Sequence, residues 1–171
     1  MGNFIRGMIV GAVALAAGVY GYARWGFLEL RADQAPSALE QRVSGSVMDE
    51  STERHAPMQK NPLQPTPDNL VAGARLYRDK CSDCHGSPVN ASSDYGGSFY
   101  PRAPQFMKQA PDMPDYENFY IIKHGVRWTG MPAWGNLMTD SEIWQVVTLL
   151  SRFEKLPPEA AEELKKPVAV K

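Results

Sequence analysis

Two cysteines and a histidine form the most chemically informative pattern in this 171-residue chain. Cys81 and Cys84 are separated by two residues, and His85 follows directly, in the segment Cys81-Ser82-Asp83-Cys84-His85. This C-x-x-C-H spacing is the signature of covalent haem attachment. Two thiols one short turn apart can each bond one vinyl group of a porphyrin, while the next residue offers an imidazole nitrogen to iron. The pattern therefore predicts one covalently bound haem c with His85 as an iron ligand.

Other interpretations of the cysteine pair have less support in the sequence. A structural zinc site needs further Cys or His ligands, and the remaining histidines, His55 and His124, do not have zinc-like spacing. A redox-active dithiol of the thioredoxin kind belongs in an α/β context, and no segment here has a strand pattern. A chance match to a short pattern is the third alternative. The helical segment before the motif and a well-placed methionine after it favour haem.

The second axial ligand of the iron must come from outside the motif. The candidates are four methionines and one histidine: Met107, Met113, Met131, Met138 and His124. Met131 is favoured, because Gly130 and Pro132 on either side of it predict an irregular loop that can direct a thioether inward. Met138 has the pattern of a core-filling side chain. His124 is the alternative ligand, but it also suits the C-terminal end of a helix, where the dipole favours a cation.

The first segment, residues 1–24, predicts a transmembrane anchor. Residues 7–23 carry no charge. The length of this uncharged stretch is near the lower limit for a spanning helix. The alternative is a cleaved signal peptide, with a small-x-small site at Ala14-Leu15-Ala16. We favour a retained anchor, because apolar sequence continues beyond that site and ends in aromatic residues typical of a membrane interface: Tyr20, Tyr22 and Trp25.

The rest of the chain divides into three parts, none of which has a strand pattern, so the predicted fold class is all-α. Residues 25–68 are polar and rich in proline near their end, which predicts an extended linker with a short helix near residues 38–43. Residues 69–156 form the folded domain. Residues 157–171 form a charged C-terminal tail, which we expect to be loose or to form a short surface helix.

The folded domain is predicted to contain three main helices, whose boundaries follow from capping patterns. The first begins at Asp68 or Asn69 and leads into the haem motif. The second covers residues 116–124. The third begins at the capping-box pattern of residues 139–142 and ends before Pro157.

Residues 69–156, about half of the chain, resemble the class I c-type cytochromes, the mitochondrial and bacterial cytochrome c family. The resemblance rests on the haem motif, on Ala103-Pro104-Gln105-Phe106, on Gly130-Met131-Pro132-Ala133-Trp134, and on terminal helices with Gly73, Tyr77 and Trp144. It implies an all-α fold in which the first and last helices cross, with Gly73 allowing a close approach near Trp144. It also implies that the Pro104 carbonyl accepts the other ring N–H of His85. Leu149 departs from the family, which often has an aromatic residue there.

Several polar side chains adjoin the presumed ligand loops and are candidates for contacts with haem propionates, since a buried carboxylate needs hydrogen-bond donors. They are Arg102, Arg127, Trp128 and Trp134. For the two arginines the alternative is an ordinary solvated surface position.

An iron held by histidine and methionine has no open coordination position, which predicts outer-sphere transfer of one electron and no enzymatic activity of the protein by itself. The carrier is either a tethered shuttle in a respiratory or related chain, or a fixed haem subunit of a membrane oxidoreductase. The alternative is a haem-based sensor or peroxidase with a labile sixth ligand. A subunit could be held by the small-residue face of the anchor, which consists of Gly7, Gly11, Ala14, Gly18 and Gly21.

Charge and compartment limit the partners. The 18 basic and 19 acidic residues nearly cancel, whereas nucleic-acid binding needs a strongly basic face. We therefore expect redox partner proteins, possible transmembrane subunits, no nucleic acid and no small-molecule substrate. Haem attachment of this type takes place outside the cytoplasm, which predicts a single-pass protein of a bacterial inner membrane with its haem domain in the periplasm.

Overall fold

The structure is a computed structural model that describes residues 2–27 and 29–168. All regular secondary structure within these ranges is helical, so the prediction of an all-α fold is confirmed for the described part of the chain. The chain divides into two compact units, Met1–Arg31 and Ala32–Lys171.

The N-terminal unit is built on one long apolar helix, α1, which covers Gly2–Arg24. Its most apolar 18-residue window has a mean hydropathy of 1.7, and almost all of its side chains are exposed. A helix of 23 residues is about 35 Å long, enough to cross the roughly 30 Å hydrocarbon core of a bilayer. The length and composition of α1 thus suit a membrane span, as the sequence predicts.

The second unit contains seven α-helices and one 3₁₀ helix among its described residues. In chain order they are α2 (Ala38–His55), α3 (Pro67–Lys80), α4 (Ser82–His85), α5 (Asp94–Gly97), α6 (Asp115–His124), the 3₁₀ helix (Trp134–Asn136), α7 (Asp140–Leu150) and α8 (Pro158–Lys165).

Helix α2 corrects the prediction of an extended linker: the short helix predicted near residues 38–43 is present, but it continues to His55. The helix occupies the proline-free stretch between Pro36 and Pro57, and the Ser37 hydroxyl caps it by accepting a hydrogen bond from Glu40 N (3.2 Å). The proline-rich part therefore begins only after the helix. It is attached to the domain at Asn61.

Asn61 holds the proline-rich segment through its side-chain amide. The amide nitrogen donates to Thr148 Oγ1 (2.9 Å) and to Asp115 Oδ2 (3.3 Å). These two acceptors lie in α7 and α6, so the segment before α3 is part of the folded unit.

The ends of three helices, α3, α6 and α7, test the capping predictions. Helix α3 begins earlier than predicted, because Thr66 caps it by accepting from Asn69 N (3.3 Å) and proline occupies the first helical position. Helix α6 matches its predicted range to within a residue. The capping box of Thr139 and Glu142 is present at the start of α7. Helix α7 ends at Leu150, well before the predicted stop, and a turn follows.

Helices α3 and α7 approach each other most closely at Gly73. A Cβ atom at this position would lie 2.9 Å from the carbonyl carbon of Gln145 and 3.1 Å from Leu149 Cβ. The close approach implied by the family resemblance is thus present, although its contacts are Gln145 and Leu149. Trp144 instead stacks on Phe119 of α6, with ring centroids 4.2 Å apart.

Helix α8 lies in the predicted C-terminal tail, where a short surface helix was one of the two expectations. Its residues Ala160 and Leu164 are buried in the same core as α3 and α7. Glu163 is also buried, and its carboxylate pairs with the Arg78 guanidinium of α3 at 2.6 Å. Lys166, which donates to the same carboxylate at 2.5 Å, is the largest cause of the lowered pKa of Glu163. The helix is therefore packed against the domain on one face.

The Gly73 contact gives a prediction about stability. Gly73→Ala should lower the free energy of unfolding by about 1–3 kcal/mol, the usual cost of overpacking, because the added methyl group meets the α7 backbone. Gly45→Ala in α2 is the matched control, since nothing lies within 4 Å of its Cβ position and alanine has a higher helix propensity than glycine. Denaturant unfolding of both variants provides the measurement. Equal stability of the two variants would contradict the close approach.

Candidate functional site

The two cysteines and His85 lie on one short helical segment. Cys81 ends α3, where its N–H donates to Tyr77 O (2.8 Å). The same residue precedes α4, in which the His85 N–H donates to Cys81 O (2.9 Å). Both cysteines are free thiols and partly buried. Gly86, with φ of 85°, ends the segment immediately afterwards. The end of α3 therefore sets the position of the whole motif.

The His85 imidazole is oriented by the carbonyl group of Pro104. Its Nδ1 atom lies 2.8 Å from Pro104 O. Because a carbonyl oxygen only accepts, Nδ1 carries the proton and Nε2 keeps its lone pair. Burial lowers the pKa of His85, with partial opposition from the Pro104 hydrogen bond, which favours the neutral ring that binds metals. The contact implied by the family resemblance is present.

The cysteine environment differs from that of a redox-active dithiol. Burial, with a smaller contribution from Cys84, raises the pKa of Cys81 to about 12. Burial and the neighbouring Asp83 raise the pKa of Cys84. Catalytic dithiols and nucleophilic cysteines instead have lowered pKa values. The raised pKa values of both thiols therefore count against the thioredoxin-like interpretation.

Tyr77 supports the motif from within the core. Its ring is fully buried, and its hydroxyl donates to Gly86 O at 2.8 Å, with His85 O also near, at 3.3 Å. Burial raises the pKa of Tyr77 far above its ordinary value, so the hydroxyl remains a donor. The backbone of the histidine is thereby bonded to α3.

A group of polar contacts that the sequence did not predict joins α5 and the following loop to the motif. Ser93 Oγ donates to Asp83 O and accepts from Gly96 N (2.9 Å). The Gln105 amide donates to Cys84 O at 2.9 Å. Gly96 lies so close to the Cys84 carbonyl that a Cβ atom would overlap it. Only Gln105 lies in a segment that carries the family resemblance, and nothing in the local pattern indicated what its side chain binds.

The Met131 loop is positioned by the end of α6. Gly125 ends this helix with φ of 67°, and a Cβ atom there would lie 2.7 Å from Met131 O. Glycine is needed both for the backbone conformation and for this approach. Thr129 Oγ1 accepts from Met131 N (3.0 Å), and Val126 N donates to Met131 O (3.2 Å). The loop that carries Met131 is thus hydrogen-bonded at both its N–H and its carbonyl.

The candidate ligands differ in their surroundings. Met131 is partly buried and packs at the edge of the core, as do Cys81 and Met107. Met138 is buried inside the core, in agreement with a core-filling role. His124 is the exposed last residue of α6 and lies against the Tyr120 ring, with centroids 4.7 Å apart.

The candidate propionate contacts fall into two groups. Trp134 is partly buried at the edge of the core, and the Lys80 ammonium lies 6.0 Å from the centroid of its ring. Arg102 and Arg127 are both exposed. The Arg127 guanidinium lies 6.0 Å from the ring centroid of Trp128, which is 88% exposed.

These residues fit a covalently held haem group. The two thiols are free and share a single turn with a neutral histidine whose Nδ1 is already bonded. Cys81, Met131 and Trp134 all adjoin the same apolar core. The donor set therefore matches thioether attachment through Cys81 and Cys84, with His85 and Met131 available to iron.

The comparisons with known proteins agree with this donor set. A family model described as cytochrome c oxidase, cbb3-type, subunit III matches residues 68–150. The matched range begins in α3 and ends with α7. A search among curated proteins found no match to the chain.

Proposed function

We propose that the chain is a membrane-tethered one-electron carrier with a single covalent haem c. The match of residues 68–150 to a c-type cytochrome family supports a haem-based role in electron transfer. Cys81 and Cys84 form the two thioether bonds, and His85 and Met131 are the axial ligands. The protein is not an enzyme by itself.

The observation that carries this proposal is the hydrogen bond between His85 Nδ1 and Pro104 O at 2.8 Å. It leaves Nε2 as the metal-binding atom and holds the ring in one orientation. His85 directly follows Cys84. This position supports the proposal that His85 binds the iron of the haem to which the two cysteines are attached.

The residues of the site act by holding the haem and limiting access to it. When bound, haem supplies an iron that changes oxidation state by one electron. If His85 and Met131 both bind the iron, no position would be open to a substrate, and the thioether ligand would raise the reduction potential. A sensor or peroxidase would need Met131 to leave easily; the bonds that hold the Met131 backbone at N and O favour the carrier.

We also propose that Trp134, Arg102 and Arg127 contact the haem propionates. The partly buried indole of Trp134 suits a fixed donor. The two arginines are exposed, so their contacts would form at the solvent side, where a guanidinium can reach a carboxylate without losing its hydration.

The exposed apolar surface of α1 supports a membrane anchor. The proposed location is a bacterial inner membrane, with the haem domain in the periplasm, where this type of haem attachment takes place. The description of the matched family as an oxidase subunit favours a fixed subunit of a membrane oxidoreductase over a free shuttle. The partners would then be redox proteins and other transmembrane subunits.

Covalent attachment tests the proposal directly. The wild-type chain should retain haem stain on a denaturing gel, since thioether bonds survive denaturation. Cys81→Ala combined with Cys84→Ala should abolish the stain, whereas Asp83→Ala, a change of an exposed side chain within the same motif, should keep it. Haem from the wild-type protein that extracts into acidified butanone would contradict the proposal.

Exchange of Met131 tests the sixth ligand. Met131→Ala should open the iron, shift it towards high spin and lower its reduction potential, and Met131→His should restore six-coordination at a lower potential than wild type. The far-red absorption band of thioether-ligated ferric haem, together with redox titration, gives the readout. Met113→Ala, another methionine followed by proline, is the control. An unchanged band in Met131→Ala would assign the ligand to another residue.

The subunit arrangement predicts a role for the small-residue face of α1. Gly11→Ile and Gly18→Leu should lose co-purifying protein, because nothing lies within 4 Å of either Cβ position in this chain and small faces let helices approach in lipid. Val13→Leu and Val19→Leu, off that face, should keep it. Mild detergent extraction and gel filtration measure the difference. Equal recovery in both sets would favour the tethered shuttle.

A further inference from the structure

We propose that Gln105 is a positioning residue for the haem ligand: its side-chain amide fixes the loop around Pro104 and thereby sets the plane of the His85 imidazole. The inference rests on the proposed function, because the plane of the ring affects electron transfer only when His85 binds haem iron. It assigns a role in the site to a side chain that neither binds iron nor attaches haem.

The Pro104 carbonyl needs such support. Pro104 is exposed and lies in the segment between α5 and α6, where residues 98–114 form no helix. Water competes for an exposed carbonyl, and a loop without regular backbone bonds can move. Two backbone bonds flank Pro104, from Ala103 N to Gly96 O (3.0 Å) and from Phe106 N to His85 O (3.0 Å), but neither holds the Pro104 carbonyl itself.

Gln105 supplies the missing restraint through all of its polar atoms. Its Nε2 donates to Cys84 O (2.9 Å) and to Ala103 O (2.8 Å). Its Oε1 accepts from Ser93 N (2.7 Å). The side chain therefore joins the haem motif, the Pro104 loop and the start of α5. Because Ala103 and Gln105 flank Pro104, the carbonyl between them is held on both sides.

The next residue extends the restraint to the face of the ring. Phe106 N donates to His85 O (3.0 Å), and the Phe106 ring stacks on the imidazole with centroids 4.5 Å apart and planes within 2°. The imidazole thus meets Pro104 at its Nδ1 edge and Phe106 on one face. Both contacts come from the residues adjacent to Gln105.

The consequence for iron follows from the Nδ1–H bond. A strong hydrogen bond from Nδ1–H makes the ring a better electron donor, which stabilises the oxidised iron and lowers the reduction potential. If the Pro104 loop loosens, this bond weakens, so the potential should rise. The imidazole plane should also turn, because the Phe106 ring that stacks on it belongs to the same loop and would move with it.

The test uses the full-length haem protein with two variants of Gln105. Gln105→Met keeps the length of the side chain and removes every side-chain hydrogen bond. Gln105→Glu keeps the acceptor that faces Ser93 N but removes the donors to Cys84 O and Ala103 O. Both should change the pattern of hyperfine-shifted haem-methyl resonances of the oxidised protein, which reports the plane of the axial histidine. Gln105→Met should also raise the potential, whereas the negative charge added by Gln105→Glu opposes such a rise.

Two controls separate positioning from stability. Ser93→Ala removes the hydroxyl bonds to Asp83 O and Gly96 N but leaves the backbone bond from Ser93 N to Gln105. It should lower thermal stability but leave the methyl pattern and the reduction potential as they are in wild type. Gln109→Met changes an exposed glutamine four residues later and should match wild type in all three measurements.

Two results would overturn the inference. One is a wild-type methyl pattern and potential in both Gln105 variants. The other is the same shift in Ser93→Ala, which would mean that loss of loop stability alone moves the ring. The wild-type spectrum checks the premise independently, since a wild-type chain without histidine-ligated haem contradicts the proposed function itself.

Discussion

The close packing of α3 against α7 at Gly73 is the contact on which the rest of the domain depends. Helix α3 ends at Cys81, so its placement decides where the thiols and His85 lie. The same helix carries Tyr77, whose hydroxyl holds the backbone after the motif, and Arg78, which pairs with α8. A side chain larger than hydrogen at residue 73 meets the backbone of α7. The absence of a side chain at Gly73 therefore allows α3 and α7 to pack closely beneath the site.

Around this helical core, the site is completed by loops held through hydrogen bonds. The Met131 loop is bonded to Val126 and Thr129, and the Pro104 loop is held by Gln105. Side chains of both loops also pack against the core, and amides and hydroxyls supply the hydrogen bonds that regular secondary structure would otherwise provide. The division suits a carrier, because ligand geometry must stay nearly constant between the two oxidation states.

Much of the site could be predicted because its signals are local. The cysteine spacing, the Gly125 helix stop and the Thr139 capping box each depend on residues within one or two turns. The contacts that were missed connect distant positions: Asn61 bonds Thr148 across 87 residues and Arg78 bonds Glu163 across 85. The length of helix α2 was underestimated for another reason, since the prolines on both sides of it made the whole stretch resemble an extended linker.

The pairing of Arg78 with Glu163 links the attachment motif to the end of the chain. Both side chains are buried, and removing one member of a buried pair costs about 3–5 kcal/mol, because the other charge is left without compensation. Proteolytic trimming that removed α8 would take away the Glu163 carboxylate and leave the Arg78 guanidinium, one turn before Cys81, paired with Asp79 alone. A domain cut there would keep Cys81, Cys84, His85 and Met131 and still be less stable. Its resistance to proteolysis thus depends in part on a helix that lies outside the cysteine–histidine motif.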